Sequence, residues 1–163
     1  MAQVIQLDDL DRAILKLLKE DARLTIAEIS SRLNKPESTV HFRIKKLQEK
    51  GVIEKYTIIL GDPLKPKHLA LVVLEVERPI IEDFLERYVE YITKTLSMLP
   101  NVLLVAKSGD DKIVALVGDE SKEKLTEFIE DNIKTIPTLR NAIVLPLSEF
   151  KKGNDIAGFL AEV

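Results

Sequence analysis

Apolar residues recur along this chain with two different periods. In the first fifty positions the spacing is helical. Leu10, Ile14, Leu17 and Leu18 fall on one face, and Asp8 stands where an N-cap belongs, with Asp11 near the positive end of the same helix. Thr25 and Glu28 form a T-x-x-E capping box, and Leu24 with Ile29 has the spacing of a hydrophobic staple. Ile26, Ile29 and Leu33 give a second helix its inner face. Asn34-Lys35 reads as a turn, with Pro36 at a tolerated first helical position. Val40, Ile44 and Leu47 form the inner stripe of a third helix, and Gly51 is placed as its left-handed cap. Three short helices with a tight second turn predict a helix-turn-helix head over residues 1–54.

The period then changes. Tyr56–Leu60 is rich in β-formers and reads as a strand. Gly61-Asp62-Pro63 and Lys65-Pro66-Lys67-His68 read as breakers and loop, so 55–68 is a strand and linker between two domains. Leu69–Glu77, Val102–Lys107, Lys112–Val117 and Ala142–Leu147 read as strands. Pro79–Leu99 reads as a helix with Ile81, Leu85, Tyr88, Ile92 and Leu99 on one side. A further helix is capped by Ser121 and has Leu125, Phe128, Ile129 and Ile133 inward. The order β-α-β-β-α-β over 69–148 predicts a ferredoxin-like domain with a four-stranded antiparallel sheet. Leu99-Pro100-Asn101-Val102 echoes Ile136-Pro137-Thr138-Leu139, as a repeated β-α-β unit would. The expected fold class is α+β: a winged-helix-like head, this second domain, and a tail over 149–163 with a short helix.

Leu71–Leu74, Val102–Val105 and Ile143–Leu145 are apolar on both faces of the expected sheet. Two helices cover only one face, and a solvated second face would show clean alternation. A second copy packed sheet on sheet is the favoured cover. The apolar tail residues Ile156, Phe159 and Leu160 are the other.

Composition narrows the function classes. The 163 residues contain no cysteine and two histidines, His41 and His68, which leaves little for metal, disulfide or nucleophilic chemistry. Neither G-x-x-x-x-G-K-[ST] nor G-x-G-x-x-G occurs. Carboxylate pairs such as Asp110-Asp111 are sequence neighbours whose side chains diverge. No catalytic residue, metal site or cofactor is therefore expected. The apolar runs are too short for a membrane span, and Met1–Leu7 lacks the pattern of a signal peptide, so an intracellular, cytoplasmic protein is expected. The net charge of −3 is uneven: residues 1–60 carry +2 and the rest −5. Lys35–Lys55 holds six basic and three acidic residues, a local patch able to grip DNA on an otherwise acidic chain.

That patch lies on the third helix. With Val40, Ile44 and Leu47 inward, Ser38, Phe42, Lys45 and Glu49 turn outward, flanked by Thr39, His41, Arg43 and Lys46. Short hydroxyls near the N-terminus and cations further along suit a helix that meets base edges and phosphates. An outward Phe42 suits a thymine methyl. The blander reading is a solvated helix with one stray aromatic and Arg43 paired to Glu49 or Glu54.

These stretches resemble a known family. Leu7–Leu15, LDDLDRAIL, is similar to the opening of the Lrp/AsnC regulators. Asp21-Ala22-Arg23, the run Ser38-Thr39-Val40 with Arg43-Ile44, Leu47 and Gly51-Val52-Ile53, and Tyr56-Thr57 follow in the family's order and spacing. Asn34-Lys35-Pro36 departs from the usual Gly-Leu-Ser. The resemblance implies a sequence-specific, double-stranded-DNA-binding transcriptional regulator acting as a homodimer, with assembly to tetramers or octamers. On that reading Ser38, Thr39, His41 and Phe42 face bases, and Lys35, Arg43, Lys45, Lys46 and Lys50 hold phosphates. It also implies an amino acid or similar small effector at the turn between the second and third strands of the second domain. Ser108-Gly109-Asp110 fits the family pattern there, while Asp111 and Lys112 replace its usual aromatic and acid. A DNA-wrapping or bridging protein of low sequence preference is the alternative.

Overall fold

The structure, a computed structural model, describes residues 6–81, 83–153 and 155–161. It divides into two compact units, Met1–Ile58 and Ile59–Val163.

The first unit contains three helices: α1 (Asp9–Glu20), α2 (Ile26–Leu33) and α3 (Glu37–Glu49). Asp8 caps α1 and Thr25 caps α2, each within a reciprocal capping box. The boxes satisfy N–H groups that a helix start leaves without partners. Ile14, Ile29, Val40 and Leu47 form the buried centre, one from each of the first two helices and two from α3. Leu24 packs against this centre with Ile29, consistent with the expected staple. Pro36 sits one position outside α3, at its N-cap, and offers no side-chain cap. Gly51 ends α3 in the left-handed region at φ +66°.

The second unit contains β1 (His68–Val76), α4 (Asp83–Ser97), β2 (Val102–Lys107), β3 (Lys112–Asp119), α5 (Lys122–Phe128), β4 (Leu139–Leu147) and α6 (Ile156–Leu160). The strands pair antiparallel in the order β2-β3-β1-β4. Pro146 is accommodated because β4 is an edge strand. Alternate residues of β1 and β3, such as Val72, Leu74, Ile113 and Ala115, bury one face against Val89, Ile92 and Leu96 of α4 and Leu125 of α5. The repeat is visible in hydrogen bonds: Gly118 N donates to the Asn101 carbonyl (2.9 Å), and Glu77 N donates to the Thr138 carbonyl (2.7 Å).

Four expectations need correction. Tyr56–Leu60 pairs with none of the four strands; Leu60 N instead donates to the Gly158 carbonyl at 2.9 Å. The expected helix from Pro79 starts at Asp83, so Ile81 lies before the first turn and is exposed, while Val89 and Leu96 are buried. β4 starts at Leu139 rather than Ala142, because Asn141 and Leu139 continue the ladder opposite Glu75 and Val76. Beyond Phe128 the helix widens into a π turn, Ile129–Ile133, closed by Lys134 N to the Ile129 carbonyl (2.9 Å). Residues spaced by four run ahead of a 3.6-residue turn. Widening keeps Leu125, Ile129 and Ile133 all in the core.

The second sheet face is covered in part by the tail. Leu69, Leu116 and Ala157 are buried there, with Leu103, Phe150 and Leu160 packed around them. Beyond that end, Leu104, Ile143 and Leu145 stay exposed.

Candidate nucleic-acid interface and a cleft at the β2–β3 turn

The turn into α3 is tied at both ends. Lys35 N donates to the Ser30 carbonyl (3.1 Å), and Ser30 Oγ donates back to the Lys35 carbonyl (2.5 Å). Asn34 takes the left-handed conformation at φ 50°, a role open to Asn as well as Gly. The departure from Gly-Leu-Ser thus leaves a tight turn. The sequence does not single out Ser30, because a serine inside an amphipathic helix carries no local sign of its reach to the next turn.

Val40 and Leu47 point α3 into the core, and its opposite side is open. Ser38, His41, Phe42, Lys45 and Lys46 are exposed, as are Lys35 and Lys50 at the two ends; Thr39 is half-buried. Phe42 is 61% exposed, a large apolar ring left open to water. Lys45 lies 3.8 Å from Glu49, an exposed pair of small energetic weight.

Arg43 departs from the others. Its guanidinium meets neither Glu49 nor Glu54 but two acids at the start of α1, the N-cap Asp8 and Asp11: Nη1 donates to Asp8 Oδ2 and to Asp11 Oδ1 (3.1 Å). The hydrogen bond from Asp11 N, followed by that from Arg43, holds the Asp8 carboxyl below its ordinary value. The bonds to Asp8 and then Asp11 raise Arg43 further. The free phosphate-holding arginine expected from the sequence is thus engaged within the head.

In the second unit, Ser108–Asp111 forms the turn between β2 and β3, with Gly109 at φ +74° and Ser108 N bonded to the Lys112 carbonyl (2.8 Å). A cleft of about 510 Å³ opens beside it, walled by Arg78, Leu85, Glu86, Lys107, Gly109 and Asp110. Ser108 and Asp111 do not wall it. The Asp111 carboxylate accepts from Arg78 Nε at 3.0 Å. Sequence reasoning does not place Leu85, Glu86 and Arg78 there, since the start of α4 meets the turn only through the fold. Among the described residues no cluster of three or more metal-ligating side chains occurs, and no helix is long and apolar enough to cross a membrane.

Comparison with known proteins bears on both units. Residues 7–54 match a model described as winged helix-turn-helix DNA-binding, and residues 66–160 match one described as the PF0864 C-terminal dimeric alpha+beta barrel domain. An uncharacterised HTH-type transcriptional regulator of Pyrococcus abyssi is 76% identical over 157 residues, covering 96% of this chain and 97% of that one. The solved structure of PF0864 from Pyrococcus furiosus, a transcriptional regulatory protein of the AsnC family, superposes with a TM-score of 0.93 at 68% identity. The match covers 97% of this chain and 100% of that one. The transcriptional regulator NMB0573 of Neisseria meningitidis, solved in complex with L-Met, shares the fold at a TM-score of 0.76 and 21% identity, covering 91% of this chain and 94% of that one. A DNA-binding head followed by a domain of the dimeric type, both matched along nearly the full length of close relatives, makes this chain a member of the Lrp/AsnC family of HTH-type transcriptional regulators.

Proposed function

We propose that this regulator reads DNA with the exposed side of α3, and that Phe42 is central to the reading. Ser38, Thr39, His41 and Phe42 meet base edges, while Lys35, Lys45, Lys46 and Lys50 neutralise phosphates. The observation that carries this is the open Phe42 ring on a helix face bearing both hydroxyls and exposed lysines. The ring offers an apolar face among polar neighbours, and a thymine methyl is the apolar group a major groove offers. In a homodimer two such heads meet half-sites about one helical turn apart, or a multiple of it.

The cleft at the β2–β3 turn is the proposed effector site. It presents Arg78 and Lys107 together with Glu86 and Asp110, charges of both signs around the apolar Leu85. Such a wall suits a zwitterion, and the L-Met complex of the Neisseria protein supports an amino acid. Ser108 and Asp111 then act as turn formers beside the ligand. Assembly beyond the dimer has a surface in Ile80, Ile81, Phe84 and Tyr91, all exposed around α4.

The test is a binding titration of wild type and Phe42→Ala on the DNA upstream of the protein's own gene and on a shuffled fragment. Phe42→Ala should reduce the specific-to-nonspecific ratio by about tenfold or more. An equal loss on both fragments would remove Phe42 from base reading. Equal wild-type affinity for the two would favour low-specificity wrapping.

A further inference from the structure

Four carboxylate oxygens at the start of α1 are divided between two tasks. Asp8 Oδ1 accepts from Asp11 N (2.9 Å), and Asp11 Oδ2 accepts from Asp8 N (3.4 Å); this is the capping box of α1. The remaining two, Asp8 Oδ2 and Asp11 Oδ1, both accept from Nη1 of Arg43, in the middle of α3. The Arg43 side chain is only 28% exposed, and its partners lie 35 and 32 residues away in sequence.

We infer that Arg43 is a positioning residue of DNA recognition: it fixes the rotation of α3 about its own axis by tethering the helix to the α1 capping box, and does not itself hold a phosphate. The inference rests on α3 being the reading helix. Its electrostatics are direct. One guanidinium between two carboxylates leaves a local charge of −1, which a phosphate avoids. Its mechanics follow from packing. The contacts of Val40 and Leu47 with Ile14 and Ile29 are apolar, and such contacts fix distance better than rotation. Successive helical residues point about 100° apart, so the tether at Arg43 governs where Phe42 aims.

The two possible roles predict opposite effects when the acids are neutralised. In Asp8→Asn/Asp11→Asn each side chain keeps one carbonyl oxygen for its cap, where Asn serves as well as Asp. The head therefore stays folded while Arg43 is released. Specific and nonspecific affinities of the full-length protein are measured over a salt series, well below the melting midpoint of each variant. The positioning role predicts that Asp8→Asn/Asp11→Asn and Arg43→Ala both lose specific affinity by about tenfold or more, compressing the specific-to-nonspecific ratio, with a wild-type salt slope. Lys46→Ala is the contrast, keeping the ratio and lowering the slope by about 0.9 for each phosphate it no longer neutralises. Tighter binding by the double Asn variant, or a reduced salt slope in Arg43→Ala, would make Arg43 a phosphate ligand and overturn the inference. An unchanged ratio in both would reduce it to a fold-stabilising pair and overturn it equally. Failure of the underlying reading has its own signature: Phe42→Ala and Lys46→Ala would then both bind as wild type.

Discussion

Asp8 and Glu28 hold their protons more loosely than free carboxyls do, and for the same reason. Asp8 accepts from the backbone of Asp11 and then from Arg43; Glu28 accepts from Thr25 N (2.7 Å) and from the Thr25 hydroxyl (2.8 Å). Both carboxyls are therefore held below their ordinary values in the folded head. As pH falls through the ordinary carboxylate range, near about 4, the unfolded chain takes up protons that the folded head still refuses. The stabilisation is complete at neutral pH and disappears as pH falls through the lowered folded values. Thermal melts of the head should show a midpoint that drops below about pH 4, and an Asp8→Asn/Glu28→Gln variant should show a shallower drop. Both groups are exposed, so the difference is small and shrinks further in high salt. An identical acid dependence in the variant would show that other groups control it.

At the scale of elements, α6 depends on close backbone contact. A Cβ on Gly158 would stand 2.3 Å from the Leu60 carbonyl oxygen and 2.6 Å from Lys65 Cε. Leu60 N also donates to the Gly158 carbonyl (2.9 Å), so the tail cannot shift without breaking this bond. Gly158→Ala should lift α6 from the sheet, speeding amide exchange at Leu60 and cleavage near Lys151 and Lys152 by about tenfold or more, since both then sample local opening. Wild-type exchange would mean that the tail holds through Leu69 and Leu116 alone. The sequence announced elements whose signals are local: the Asp8 cap, the Thr25–Glu28 capping box, Gly51, the β2 limits and the β2–β3 turn are where residue chemistry puts them. It misled where partners decide. Tyr56–Leu60 has strand chemistry without a ladder, and the π turn arises from three isoleucine and leucine side chains competing for one core. The outward set Ser38, Phe42, Lys45 and Glu49 followed from helical period alone, because their exposure needs only α3's own inner stripe. Arg43 shares that period, but its long side chain reaches α1, and no local pattern records such a reach.

At the scale of the whole molecule, a second copy seated on the exposed end of the sheet would set how many heads act together. Leu104, Ile143 and Leu145 leave apolar surface open on a face whose other end the tail already covers. A second copy packed on the exposed end would share this face with the tail, instead of competing for all of it. The matched domain is of a dimeric type, and roughly 800 Å² buried per partner is ordinary for a stable interface. Ile143→Glu/Leu145→Glu tests this division. Both side chains point away from the α4–α5 core, where Ala142 and Val144 pack, so the domain should stay folded. Two charges per copy facing their mates should be costly to bury, and light scattering should report a monomer. A monomer carries one head, so its salt slope on DNA should fall to about half that of wild type, since slope counts the phosphates neutralised. Specific affinity should then also cease to depend on the spacing between half-sites, because no twofold remains to enforce it. A variant that stays dimeric with an unchanged slope would move the interface off this face.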